Sequence, residues 1–299
     1  MPVDQDLLNP AWLAEIEDYS LLSRLVVEGL LPGLHRSLRH GRGSEFFQYR
    51  AYVPGEDLKL IDWKVYAKRG ELLAKTYQED TNLNVYLVVD CSGSMGYQGD
   101  RAACDKLHYA SMAAACIAYL ANRQGDRVGL FSYGDEIQEW IPPRNGSGHL
   151  DRFFQGLARL NASGTSNHRN SWETLTRALP GRGLVIFLSD CLEVEDELPE
   201  LLRFAHSPRY DCLCLQILDP DELDLPHDEA LLFEDMEDGR QTPTHPDATR
   251  DRYIGDMNDY CKQLADNLGV VGVEFDSLTT HSDLGLALRR VLHHRSLGS

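Results

Sequence analysis

The chain has 299 residues, 42% hydrophobic and 25% charged, which suits a folded protein of one large α/β domain with an appendage, or of two modest domains. Its formal net charge of −18 excludes a general nucleic-acid-binding surface, which needs excess Lys and Arg to face phosphates. No stretch approaches the ~20 consecutive apolar residues that cross a bilayer, the segment from Met1 to Asp18 is acidic rather than signal-like, and seven cysteines without paired spacing fit reduced thiols, so the sequence reads as cytoplasmic.

Residues 10–31 carry apolar side chains at helical spacing and end at the breaker pair Pro32-Gly33, which predicts a helix. A basic, Gly-containing loop follows, then a strand over 45–52, a turn at Pro54-Gly55, a short helix over 60–67 and a strand over 72–78. Between Arg36 and Lys75 there are nine Lys and Arg against five Asp and Glu. This N-terminal segment, 1–82, reads as a small α+β unit.

From Leu83 the pattern changes to buried strands alternating with helices, over a second domain spanning 83–295. A short apolar run at 84–89 stops at Asp90 and is followed by a long helix over 106–123. A strand at 127–133, an edge strand at 137–141 and a helix at 150–160 come next. A polar loop at 161–170 leads to a helix at 171–179, a strand at 184–189, a helix at 198–206 and a strand at 212–218. Further short strands are expected in the acidic stretch, then a helix at 247–267, a strand at 270–275 and a last helix at 283–294. Strands of this kind separated by helices predict a parallel sheet covered on both faces. Residues 219–238 hold ten Asp and Glu and no Lys or Arg, which reads as a solvated acidic surface or as one half of a charge pair with the basic N-terminal region or a charged partner.

In an open parallel sheet, ligands sit beyond the carboxyl ends of the strands. Three polar clusters fall there: Asp90-Cys91-Ser92-Gly93-Ser94, Gly164-Thr165-Ser166 and Ser189-Asp190. Alternate residues of an extended turn point to one side, so Asp90, Ser92 and Ser94 can converge. With Thr165 and Asp190 they make two carboxylates and three hydroxyls, the hard all-oxygen set preferred by Mg²⁺ or Mn²⁺. A coordination position left open would accept a carboxylate from another protein. Standing alone, such a motif is more often a helix N-cap than a metal site.

The run VVDCSGSM resembles the metal-ion-dependent adhesion site of von Willebrand factor A domains, with DRVGLFSYGDEI matching the usual second strand and GTS and VIFLSD the other two ligand loops. The resemblance implies a von Willebrand A-like, Rossmann-like, mostly parallel sheet flanked by helices. It also implies that Ser92 and Ser94 bind the ion directly, that Thr165 binds it directly or through water, and that Asp90 and Asp190 act mostly through water.

A second set of residues, Arg50-Ala-Tyr52-Val-Pro54-Gly55-Glu56-Asp57, Ile61-Asp62-Trp63-Lys64, Ala67-Lys68-Arg69 and Lys75, resembles the signature of the bacterial domain-of-unknown-function-58 family. Glu56 stands where Asp is common and Lys68-Arg69 where Ala-Arg is common. What this resemblance implies is a protein-binding adaptor that works with a MoxR-type AAA+ ATPase, an acidic partner side chain completing the metal shell. Arg50, Asp57, Asp62, Trp63 and Lys64 are then either a partner-docking surface or an ion-pair and packing motif that seats the segment.

Other features read more plainly. Cys91 and Cys191 each follow a candidate ligand Asp and could approach one another, as a redox pair beside the metal or as two small half-buried thiols, while Cys212 and Cys214 alternate along one strand face. His293-His294-Arg295 places positive charge at a helix C-terminus, and His168 and Arg169 flank the Thr165 loop. An enzyme reading, Mg-dependent phosphoester hydrolysis through Asp90, lacks the second Asp two residues on that such nucleophiles need. No phosphate loop, nucleophile elbow or HExxH helix occurs. A scaffold that never takes a metal is the third possibility.

Overall fold

The structure, a computed structural model, describes residues 10–30, 45–52, 61–78, 83–164, 173–175, 177–179, 181–192, 209–237 and 239–297, with side chains left aside at 30, 45–50, 74–78, 248 and 293–297. The expected helix over 10–31 is two: α1 (Pro10–Ala14) and α2 (Tyr19–Leu30). Asp18 causes the break. Its carboxylate accepts the backbone N–H groups of Ser20 and Leu21 at 2.8 and 3.3 Å, which starts a new helix instead of continuing the old one.

The chain divides into two compact units, Arg39–Leu83 and Met1–Leu38 together with Asn84–Ser299. In the smaller unit, β1 (Glu45–Ala51) pairs antiparallel with β2 (Leu73–Gln78), with a register shift between Phe46 and Gln48. Between them lies α3 (Trp63–Arg69), which Asp62 caps and Gly70 ends at φ 70°, a left-handed conformation that glycine adopts without strain.

The larger unit is built on β3 (Asn84–Asp90), β4 (Arg127–Tyr133), β5 (Ile137–Arg144), β6 (Gly183–Ser189), β7 (Tyr210–Leu218) and β10 (Glu274–Thr279). Its helices include α4 (Lys106–Arg123), α5 (Ser147–Leu157), α6 (Pro220–Asp224), α7 (Pro246–Val270) and α8 (Leu284–Leu297). A two-stranded hairpin, β8 (Leu231–Glu234) with β9 (Gln241–Thr244), stands apart from the main sheet. The six-stranded sheet has the order β10-β7-β6-β3-β4-β5, parallel throughout except for the antiparallel edge strand β5. The expected mostly parallel sheet flanked by helices is thus the observed architecture.

Alternation along the strands divides the core in two. Tyr86, Val88, Phe131, Val185, Phe187, Cys212 and Cys214 face one way, where Leu264 and Leu268 of α7 join them. Val85, Leu87 and Val89 face the other way, the side of α4. Helix α4 is buried nearly all round, its alanines allowing close approach both to the sheet and to α2. Helix α2 is fixed there by a hydrogen bond from Tyr119 Oη to Glu28 at 2.7 Å and by the Tyr19 hydroxyl 3.2 Å from His108 Nδ1. The first helices therefore belong with the large unit, whereas the sequence groups them with the 1–82 segment.

The strand expected at 270–275 is displaced. Helix α7 runs on to Val270, the chain reverses through Gly272 at φ 77°, and the strand occupies Glu274–Thr279. The expected helix at 198–206 lies outside the described residues, and of the one at 171–179 residues 173–175 and 177–178 are helical.

Candidate metal centre

Strand β3 has β4 on one side and β6 on the other, and the chain leaves β3 towards β4 but later builds outwards from β6 to β7 and β10. The β3/β6 boundary is therefore the switch point of the sheet, where a crevice opens beyond the strand ends. Asp90 ends β3 and Ser189 ends β6 at this boundary. Ser189 Oγ donates to Asp90 Oδ2 at 2.7 Å, and the Ser92 N–H donates to Asp90 Oδ1 at 2.9 Å. Asp90 is buried beneath the turn with both carboxylate oxygens hydrogen-bonded.

In that turn, Ser92 Oγ and Ser94 Oγ lie 3.1 Å apart. Two adjacent oxygens on an octahedral Mg²⁺, each at about 2.1 Å, are about 3 Å apart, so this pair has the spacing of one coordination edge. Thr165 lies outside the described residues. The residues just before it are held at the turn: the Gly93 N–H donates to the Gly164 carbonyl at 2.8 Å, and the Ser163 N–H donates to the Cys91 carbonyl at 3.0 Å. Gly93 is required by crowding, since a Cβ there would meet the Met236 carbonyl oxygen at 2.5 Å. Asp90, Ser92 and Ser94 are thus brought together. Among the described residues no group of three or more His, Cys, Asp and Glu is arranged to hold a metal, so the candidate donors are the hydroxyl-rich set.

Asp190 follows β6, as expected, but its carboxylate is already engaged. Lys106 Nζ lies 2.8 Å from Asp190 Oδ2 and 2.5 Å from Glu222 Oε1, with the lysine side chain wholly buried. Burial alone would lower the pKa of this ammonium, but the two carboxylates outweigh burial and hold it above its usual value. The Glu222 carboxyl is raised as well, because its burial outweighs the pull of Lys106. Asp190 is further fixed by the Leu192 N–H on Oδ1 at 3.2 Å and by Gln216 Nε2 on its carbonyl at 3.0 Å. The serine pair and Asp90 fit a hard cation, and Asp190 would serve it through water while sharing its charge with Lys106.

Sequence reasoning missed Lys106, Glu222 and the anchoring role of Ser189. A signal for the lysine existed: it is the first residue of α4, directly after the N-cap Asp105, where a cation opposes the helix dipole. The acidic stretch also needs correction, because its beginning is not a solvated surface. Asp219 and Asp221 are buried, with Asp219 the N-cap of α6 in a capping box with Glu222. They accept the N–H groups of Gly99 and Asp100 at 3.0 and 2.8 Å, and Arg101 pairs with Asp221 at 2.5 Å and Asp224 at 2.7 Å. The start of the run, from Asp219 to Asp224, clamps the loop that carries Ser94 into α4.

The Arg50–Lys64 set divides. Asp62 is buried and accepts the N–H groups of Lys64 and Val65 at 3.0 and 3.3 Å, so it caps α3. Trp63 is exposed and packs edge-on against Tyr66, and Lys64 is exposed. Arg50 stands on β1 opposite Ala74, and Asp57 lies outside the described residues. The Cys191 sulfur lies 3.5 Å from that of Cys214. Cys212 and Cys214 share one core face, as their spacing predicts. Burial pushes the Cys91 thiol up, the charge of Asp90 adds to this, and the contacts with Ser132 and the Tyr133 backbone offset only part of it. His168 and Arg169 lie outside the described residues, as do the side chains of His293, His294 and Arg295.

The strand order, the single antiparallel edge strand and the hydroxyl-bearing turn at the switch point define a von Willebrand A-like α/β protein. The chain belongs to the DUF58 family, a protein family of unknown function whose profile matches residues 48–261. It is 27% identical to the uncharacterized protein Rv1480 of Mycobacterium tuberculosis H37Rv, over 98% of this chain and 93% of that protein. It is 27% identical to the uncharacterized protein YeaD of Bacillus subtilis 168 over 109 residues, 36% of this chain and 25% of YeaD. Similar solved structures include the conserved hypothetical protein BatB of Bacteroides thetaiotaomicron, with TM-score 0.45, 15% identity and coverage of 72% of this chain and 99% of BatB. Another is the SpRpn10 VWA domain, with TM-score 0.41, 11% identity and coverage of 70% of this chain and 94% of the domain. No helix among the described residues is long and apolar enough to cross a membrane.

Proposed function

We propose that this DUF58 protein is a divalent-cation-dependent protein-binding adaptor of the cytoplasm. It would take one Mg²⁺ or Mn²⁺ on Ser92, Ser94 and Thr165, with Asp90 and Asp190 behind them, and work with a MoxR-type AAA+ ATPase on other proteins. The observation that carries this reading is the 3.1 Å separation of Ser92 Oγ and Ser94 Oγ at the sheet's switch point, over the doubly hydrogen-bonded Asp90. An ion on that edge would present its open face outward, where an acidic side chain of a partner could complete the shell.

Binding is favoured over catalysis by what surrounds Asp90. Its oxygens are occupied by Ser92 N–H and Ser189 Oγ, so it is not poised as a nucleophile, and the nearby ammonium of Lys106 is locked between two carboxylates.

Two measurements test the reading. Calorimetry with Mg²⁺ and Mn²⁺ should show one site that Ser94→Ala abolishes while leaving the unfolding midpoint nearly unchanged. Capture of a MoxR-type ATPase encoded in the same host should be lost in EDTA and in Ser94→Ala. No heat with either ion sinks the metal; capture indifferent to EDTA and to the substitution sinks the cation-dependent adaptor. Mg²⁺-dependent turnover of a phosphoester, abolished by Asp90→Ala, would establish the hydrolase instead.

A further inference from the structure

Between β7 and α7 the chain makes α6 and the β8–β9 hairpin, and together with α7 these enclose a groove of about 620 Å³ that begins at Ser94. Its walls are apolar at Tyr97, Leu192, Leu225, Phe233, Met236 and Tyr253. Met236 is 49% exposed, so a large apolar side chain faces solvent beside the candidate cation turn. The rim has the opposite character: Glu234, Asp235, Glu237 and Asp256 stand there with Arg252 the one guanidinium among the lining residues. Arg252 itself lies 3.5 Å from Asp256. The two deeper carboxylates, Asp221 and Glu222, hold Arg101 and Lys106, and the exposed carboxylates at the mouth are Glu234 of the hairpin and Asp256 of α7.

We propose that this groove binds an extended segment of a partner protein in which Lys or Arg side chains flank an aliphatic or aromatic residue. The volume lies within the roughly 300–1,000 Å³ of ligand-sized clefts, room for a few side chains rather than for a folded surface. An apolar side chain covers Phe233 and Met236, the stems of Lys or Arg lie along the remaining wall, and their charged heads reach the rim carboxylates. An acidic segment would instead bring like charges together over an apolar floor, where they are poorly screened. The sequence alone suggested that the acidic run could meet a charged partner; the groove gives that partner a sign and an apolar component. The inference does not depend on the cation, because no groove contact requires the Ser92–Ser94 pair to be metallated.

The test uses two fluorescein-labelled peptides of equal length in which Leu and Phe alternate with Lys and Arg, or with Glu, titrated with the full chain and followed by fluorescence anisotropy. The basic peptide is expected to bind at least about tenfold more tightly than the acidic one, a difference of electrostatic origin that shrinks as salt rises. Glu234→Lys with Asp256→Lys, both exposed positions, should weaken it by about tenfold or more. Asp151→Lys with Asp211→Lys makes the same change in net charge at exposed positions that do not line the groove, and should keep binding within about twofold. Binding should persist in EDTA. Equal affinity for the two peptides, or equal loss in both charge-reversed proteins, overturns the groove in favour of general attraction to an acidic protein. Loss of binding in EDTA overturns it too, by assigning capture to the cation site, and so separates its failure from that of the adaptor reading.

Discussion

Lys106, the first residue of α4, and Asp190, the residue after β6, form a wholly buried ion pair at 2.8 Å, with Glu222 as the lysine's second partner at 2.5 Å. The pair ties the helix that leaves the candidate metal turn to the strand end opposite it. Removing the ammonium would strand two carboxylates inside the protein, which costs about 3–5 kcal/mol for a buried pair broken on one side. Lys106→Met is therefore expected to lower the urea midpoint strongly, and adding Glu222→Gln should recover part of the loss because one stranded charge disappears. In the same proteins, calorimetry should show tighter Mg²⁺ binding than in the parent, since Asp190 no longer shares its charge with Lys106. Unchanged stability in Lys106→Met would refute the pairing.

Ser189 occupies a different place in the same network. Its hydroxyl donates to Asp90 Oδ2 at 2.7 Å and accepts the Cys191 N–H at 3.0 Å, all in the buried interior. Ser189→Ala leaves a buried carboxylate oxygen short of a donor, at a cost of about 1–3 kcal/mol. If the site takes Mg²⁺ as proposed, it should also reduce the upward shift in melting temperature expected at saturating Mg²⁺, because Asp90 is then less firmly placed beneath the serine pair. Melting curves of Ser189→Ala with and without Mg²⁺ check both effects, and Ser189→Thr should retain most of each.

What the sequence disclosed of this site follows the distance between partners along the chain. Asp90, Ser92 and Ser94 lie within five residues after an apolar strand, so local pattern was enough, and Asp190 was marked by its own strand end. Lys106 meets Asp190 across 84 residues and Glu222 across 116, and nothing in a single sequence pairs them. The fold behaved similarly. Strands β3, β4 and β6 are apolar runs legible at sight, whereas β10 reads Glu-Phe-Asp-Ser-Leu-Thr, with polar residues between apolar ones, and the stronger apolar signal of Val270, Val271 and Val273 drew the expected strand four residues early. The acidic stretch was read from composition, which cannot distinguish a carboxylate that caps a helix, as Asp219 does, from one in solvent, as Glu234 is.

The thiols give the protein a pH dependence with a definite sign. Burial raises Cys116 above its ordinary value, and burial with the charges of Asp105 and Asp219 pushes Cys104 up to about 12. Both thiols stay protonated in the folded chain at pH 9, whereas the unfolded chain releases those protons near pH ~8.5. The unfolded state then binds fewer protons than the folded one, so stability is fully present below that pH and falls as pH rises. The urea midpoint should decline between about pH 8.5 and 9.5, and Cys116→Ala should flatten the slope by up to about 1.4 kcal/mol per pH unit. An equally steep decline in Cys116→Ala would show that other groups carry the dependence.

Gly164, the residue before the candidate ligand Thr165, is held against the candidate cation turn. It stands at φ 70°, and a Cβ added there would lie 2.0 Å from Asp135 Oδ2. Its carbonyl accepts the Gly93 N–H at 2.8 Å, so any shift of this residue moves the backbone of the cation turn and the start of the loop that carries Thr165. Gly164→Ala meets two obstacles, the left-handed backbone and the Asp135 carboxylate. Together these should cost about 1–3 kcal/mol in stability. Asp135→Ala in the same chain removes the clash but not the backbone strain, so it should recover only part of that loss. If Thr165 takes part in holding the ion, Gly164→Ala should weaken Mg²⁺ binding more than it lowers stability, and the Asp135→Ala double variant should regain stability before affinity. Equal recovery of the two would mean that the loop supports the fold of the turn without contributing to the cation.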